Sequence, residues 1–321
     1  MDKDIFSARP AKAILPDITI NHDRTLERTM AEPIKLLPGI APITSDYDGF
    51  ILDLWGVIHD GVKLYDGVVD TLERLRSADK SFIMLSNAPR RSTAVVELMT
   101  GMGVPEKFCD HVMSSGEATW QELHDRTDPW YDGIGNHCLH IGPERDRNLL
   151  DGVDFEFTEN VSQADIILNT GPWLDDEKVE DYEELMRQSA ALDIPMLCAN
   201  PDLVVIRGGT RIICAGALAA RYEELGGRVR YLGKPFPSIY PHCFDVLGIA
   251  DRSRILAVGD SLRTDIAGAK AAGIDSLLVL GGIHGAEVGM VDGADPDEMK
   301  ISDMCVRENQ KPIAAISEFI W

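Results

Sequence analysis

FILDLWGVI, residues 50–58, is an apolar run broken by a single acid and bounded by DYDG (46–49) on one side and HDG (59–61) on the other. A short, nearly continuous apolar stretch between turn residues is the pattern of a strand buried on both faces of a parallel sheet. It is expected to be the central strand, with Asp53 at its carboxyl end, where open α/β sheets build their sites. Outward from it, GVVDTLERLRSADK (67–80) reads as a helix directing Val69, Leu72 and Leu75 to the sheet, and SFIMLSN (81–87) as the next strand. RSTAVVELMTGMGV (91–104) gives a further helix closed by glycines. Strand, helix, strand, helix predicts a doubly wound, Rossmann-like α/β core with a parallel sheet.

A second alternating series follows. HCLHIG, ADIILNTG and IPMLCAN read as strands, and DYEELMRQSAALD as a helix between the last two. The first pattern resumes with RVRYLGKP, the helix SIYPHCFDVLG, the strand RILAVGD, a helix over about 264–272 and the strand SLLVLGG. An insertion of this length inside a doubly wound core is a domain and not a loop. The expected organisation is an extension over 1–45, a core from 46–128 and 230–321, and an α/β cap over 129–229. Met30 lies shortly before the first strong strand and is read as an alternative start.

Two further acids share the environment of Asp53. Asp260 ends the apolar strand of ILAVGDSLRTD, and Asp265 falls in the first turn of the helix after it. Carboxylates this close repel one another unless a cation lies between them, and hard oxygen donors favour Mg²⁺. Ser86 and Asn87 follow a strand and precede a helix, a place suited to an anionic oxygen held by a hydroxyl and backbone amides, although a turn serine capping a helix has the same appearance. Lys234 in LGKPFP stands between a strand end and a proline turn, within reach of a phosphate or of the Asp53 carboxylate.

The net charge of -22 and a pI of about 4.7 oppose general nucleic-acid binding, because phosphate backbones would be repelled. Six cysteines without a CxxC pair point to a reducing compartment. With neither a secretory signal nor a transmembrane stretch in the sequence, a cytoplasmic location and no membrane partner are expected. The eight histidines show no metal-ligand spacing.

Together DLWGV (53–57), the Ser86 strand, Lys234 and GDSLRTD (259–265) resemble, in order, the four motifs of the haloacid dehalogenase superfamily. YDG after HDG, CANPDLVVIRGG, CAGALAARYEELGG and the GKP that follows resemble its class IIA subclass, which holds nitrophenyl and pyridoxal phosphatases and carries a large α/β cap. The resemblance spans about residues 47–285. It implies a hydrolase of small phosphorylated metabolites in which Asp53 attacks phosphorus, Ser86 binds a phosphoryl oxygen and Lys234 offsets charge. It also implies Mg²⁺ held by Asp53, Asp260, the main-chain carbonyl of Trp55 and Asp265, and homodimers formed through the cap.

One position departs from that family. Its phosphatases carry a second aspartate two residues after the nucleophile, which protonates the leaving oxygen and activates the hydrolytic water, where this chain has Trp55. An indole donates a hydrogen bond but has no acid or base chemistry near neutral pH. Three outcomes follow. A good leaving group or another proton donor, with His59 and Asp60 near but not favoured, replaces the acid; the protein is a weak catalyst that binds or senses phosphate; or it acts on carbon–halogen bonds, an option that Asp260 and Asp265 weaken.

Overall fold

The computed structural model describes residues 33–207, 210–291 and 294–321. In chain order the strands are β1 Leu36–Leu37, β2 Gly49–Leu52, β3 Ser81–Ser86, β4 Val112–Ser114, β5 His137–Ile141, β6 Glu156–Phe157, β7 Ile166–Asn169, β8 Met196–Cys198, β9 Val204–Arg207, β10 Thr210–Ile213, β11 Val229–Tyr231, β12 Ile255–Gly259, β13 Asp275–Val279 and β14 Ala314–Ile316. Seven of them form a parallel sheet in the order β1-β14-β13-β12-β2-β3-β4. Strand β2 leads to β3 on one side and meets β12 on the other, so the winding reverses at the carboxyl end of β2.

Alternation along β2 explains its continuous apolar run. Phe50 and Leu52 face one layer with Met84, Leu256 and Val258, against Val68, Leu72 and Leu75 of the helix Val68–Ser77. Ile51 faces the other layer with Ile83, Leu85 and Ala257, against Tyr240, Cys243 and Leu247 of the helix Tyr240–Leu247. The first of these helices presents Val68 to the core and leaves the expected Val69 only partly buried.

The cap is a second parallel sheet, β11-β8-β7-β5-β6, with the antiparallel hairpin β9–β10 beside it. Leu139, Ile167 and Met196 bury one face beneath Tyr182, Met186 and Tyr222, and Cys138, Ile166 and Leu197 bury the other with Leu123, Tyr131 and Leu149.

Three expectations need correction. Strand β11, read as the return to the core, pairs with β8 and completes the cap sheet, because a three-residue strand carries the same pattern in either sheet. The extension over 1–45 is not all outside the core: β1 pairs with β14 and Ile40 is fully buried, while residues 1–32 lie outside the described residues. The helix expected from about 264 starts earlier, as a π-helical turn over Leu262–Ile266 that continues into Ala267–Ala272. π-Helical turns inside helices frequently mark functional sites. All six cysteines are buried and unpaired. Among the described residues no helix is long and apolar enough to cross a membrane.

Candidate active site

The end of β2, the end of β12 and the π-helical turn deliver Asp53, Asp260 and Asp265 to one point: each offers a carboxylate oxygen within 4.8 Å of the others, and all three are buried. Asp260 is held by its surroundings. Its Oδ2 accepts a hydrogen bond from the Ile283 amide at 2.8 Å, and a Cβ placed on Gly56 or on Gly282 would lie 2.0 Å from that oxygen. Gly56 also has φ +84°, a left-handed backbone that a side chain resists. The Asp265 Oδ2 accepts from the Ser261 amide at 3.1 Å.

Among the described residues, Lys234 is the ammonium that reaches this acidic cluster. Its Nζ donates to Asp53 Oδ1 at 2.6 Å, Asp265 Oδ1 at 2.7 Å and the Leu85 carbonyl at 2.9 Å, which spends all three of its protons. Burial alone would lower its pKa, but Asp265 and Asp53 outweigh burial and hold it above the ordinary range. Desolvation, with Asp265 next, pushes Asp53 up against the pull of Lys234. Asp260, desolvated and facing both Asp53 and Asp265, is raised well above the usual carboxylate value. Three buried acids against one buried ammonium leave negative charge that a divalent cation would neutralise, and an all-oxygen donor set suits a hard ion.

Ser86 and Asn87 lie beside this cluster, both buried, and do different work. The Ser86 hydroxyl accepts from the Ala88 amide at 3.2 Å, which leaves its own proton to donate. The Asn87 side chain is spent on positioning: its Oδ1 accepts from the Lys234 amide at 2.8 Å, and its Nδ2 donates to the Lys234 carbonyl and to Asp202 Oδ1, both at 2.9 Å. Asp202 follows β8 in the cap, so this bond also joins the two sheets. Burial raises the Asp202 pKa to about 6 against the pull of Lys234 and the Asn87 hydrogen bond.

Trp55 turns its side chain to the cap. The indole Nε1 donates to the Ile206 carbonyl of the hairpin at 2.8 Å, and the Arg207 guanidinium sits 5.6 Å from the ring centroid. His59 packs edge-on at 5.4 Å, and Gly61, at φ +86°, stays free of a Cβ that would meet the indole Cη2 at 2.2 Å. Neither neighbour is set up as a proton donor. Burial lowers the His59 pKa to about 4, and its Nδ1 accepts from the Gly61 amide at 3.0 Å. Asp60 is held below its ordinary value because, against its slight burial, it accepts from the Lys63 and Val62 amides, each at 2.8 Å.

Reading of the sequence missed three participants: Gly282 and Ile283, which clasp Asp260, and the hairpin β9–β10 that docks on Trp55; Asp202, which pairs with Asn87, lies within the CANPDLVVIRGG motif that carries the resemblance. Only the paired glycines closing SLLVLGG signalled a close backbone approach.

Comparison with known proteins identifies the family of the fold. A model described as haloacid dehalogenase-like hydrolase matches residues 50–156, and a HAD-hydrolase-like model matches 231–300. The crystal structure of a haloacid dehalogenase-like hydrolase from Brucella suis 1330 superimposes with a TM-score of 0.75 at 34% identity, over 88% of this chain and 100% of that one. An acid sugar phosphatase of Staphylococcus epidermidis is 26% identical over 245 residues, 74% of this chain and 88% of its own length. A D-glycerol 3-phosphate phosphatase of Mycobacterium tuberculosis is 27% identical over 253 residues, 76% of this chain and 66% of its own length. With a relative 34% identical over 88% of its length, the chain belongs to the haloacid dehalogenase-like hydrolases, class IIA.

Proposed function

We propose that this protein is a Mg²⁺-dependent phosphatase of small phosphorylated metabolites, with Asp53 as nucleophile. The observation that carries the reading is the buried convergence of Asp53, Asp260 and Asp265 around Lys234. Asp53, Asp260, Asp265 and the Trp55 carbonyl would hold the cation, which supplies charge neutralisation for the anionic phosphate when bound.

The chain's own groups account for the rest. An Asp53 oxygen not engaged by Lys234 forms a bond to phosphorus while the ester P–O bond breaks. Lys234 draws Asp53 toward its ionised form and orients it, and the Ser86 hydroxyl donates to a phosphoryl oxygen. A water then attacks the aspartyl phosphate, restoring the carboxylate and releasing inorganic phosphate. Positioning and charge are the main demands of phosphoryl transfer, and these residues meet them. The Trp55 indole takes no part in proton transfer, a contribution worth roughly 10²- to 10⁴-fold in rate. Substrates with good leaving groups are therefore favoured.

The commitment of Trp55 to the cap favours a second reading, a phosphate-binding or regulatory protein with slow turnover. One assay separates the two. Nitrophenyl phosphate and a metabolite panel are tested with and without Mg²⁺ on the unaltered protein, Asp53→Asn and Trp55→Asp. Metal-dependent turnover abolished in Asp53→Asn supports the enzyme. Turnover that appears only in Trp55→Asp supports the second reading, and two folded but inert proteins would remove the phosphate assignment.

A further inference from the structure

Both sheets turn their carboxyl ends to a common seam. Trp55, after β2, meets Ile206 of the hairpin; Asn87, after β3, meets Asp202, after β8; and Arg90, in the same loop as Asn87, reaches Asp146, after β5. Arginines collect along this seam from three distant parts of the chain. Arg90 and Arg145 approach the same Asp146 Oδ1, at 3.5 and 3.8 Å. Arg207 lies over Trp55, two residues from Asp53, and its charge acts on Arg90.

The pairing of these guanidinium groups is incomplete. Among the described residues Arg90 has one long ion pair, at 3.5 Å, although its side chain is only 30% exposed, and the buried Asp146 Oδ1 has no hydrogen-bond partner. Arg207 pairs with Asp175, whose side chain is 58% exposed. Assembling like charges at a partly desolvated seam is unfavourable unless an anion joins them, and a planar fork of N–H donors suits a carboxylate or a phosphate. In a chain of net charge -22, guanidinium groups gathered at the seam beside Trp55 offer a place for an acidic ligand.

Building on the phosphatase reading, we propose that Arg90 of the core and Arg207 of the cap bind a second anionic group of the substrate, so that the preferred substrates are phosphorylated acids rather than neutral sugar or polyol phosphates. Arg145 adds charge from the cap side. The Trp55–Ile206 contact seats Arg207 beside Trp55.

The test compares 3-phosphoglycerate with glycerol 3-phosphate, which share a phosphate and differ in one carboxylate, by calorimetric titration of Asp53→Asn in Mg²⁺. The diacid is expected to bind about tenfold more tightly, the worth of a charge-assisted hydrogen bond. Adding Arg90→Gln and Arg207→Gln together should bring the ratio to about one while glycerol 3-phosphate stays within about twofold. Asp175→Asn, a surface change that leaves folding intact, should widen the preference by freeing Arg207. Equal affinities before any arginine is changed, or a preference that survives the double substitution, would overturn the proposal and leave the phosphatase reading standing. Failure of both probes to bind would overturn the two together.

Discussion

Trp55 Nε1 and the Ile206 carbonyl, 151 residues apart in the chain, are joined by a 2.8 Å hydrogen bond that ties the end of β2 to the cap hairpin. The position that carries an acid in phosphatases of this family has become a point of attachment. Trp55→Phe keeps most of the ring and loses the donor. With a net worth of about 1 kcal/mol for such a bond, amide exchange over Val204–Ile213 should quicken about fivefold while the core strands stay unchanged. Unaltered exchange in the hairpin would show that the bond does not hold the cap.

Trp55→Asp places a carboxyl two residues after Asp53, the proposed nucleophile, and removes the attachment. Proton transfer is worth roughly 10²- to 10⁴-fold. We expect turnover of an alkyl phosphate to rise at least about tenfold even after allowing for a looser cap. KM should rise as well, because the hairpin is no longer seated. A fall in turnover would mean that seating the cap matters more than the missing acid.

Removing one of three crowded carboxylates should stabilise the metal-free protein. In chelator at pH 7.5, Asp260→Asn is expected to melt no lower than the unaltered chain, since repulsion from Asp53 and Asp265 is relieved. Saturating Mg²⁺, at about a hundred times its Kd, should stabilise the unaltered chain by about 2.7 kcal/mol and the variant by little. Equal stabilisation of both by Mg²⁺ would place the ion elsewhere.

Lys234→Met leaves Asp53 and Asp265 buried without their shared donor. Breaking a buried pair from one side costs about 3–5 kcal/mol. Urea unfolding should show a loss of that size in the metal-free protein, made smaller by Mg²⁺. A midpoint that does not move would mean that the lysine contributes nothing to stability.

Two buried histidines set the acid limb of stability. Burial lowers the pKa of His59 and of His140 to about 4, below their ordinary 6.5. Between these values the unfolded chain binds more protons than the folded one, so stability falls as pH drops from about 6.5 toward 4. At pH 5 each histidine accounts for about 2 kcal/mol of that loss. The double variant His59→Gln/His140→Gln, compared in saturating Mg²⁺, should flatten the pH dependence of the melting temperature over this interval. An unchanged slope would assign the acid limb to the carboxylates.

The fold was largely legible in the sequence because its pattern is local. Apolar runs at 50–58, 255–259 and 277–280 announce buried strands wherever they are read, and alternating helices force them to be parallel. Strands of two or three residues, such as Leu36–Leu37 and Val229–Tyr231, carry too few residues for a period, and their sheet is decided by what they meet. The identities of Asp53, Lys234, Asp260 and Asp265 were legible too, since an acid or a lysine at a buried strand end needs a reason.

What the amino-acid sequence determined by itself is the doubly wound core, the inserted α/β cap and the residue types presented at the strand ends. The convergence of three acids within 4.8 Å, the use of Asn87 to hold Lys234, the docking of Trp55 on Ile206 and the gathering of Arg90, Arg145 and Arg207 were decided by tertiary structure alone. The reason is physical. Periodicity reports which face of an element is buried, whereas contacts between residues more than a hundred positions apart depend on how two sheets are set against each other.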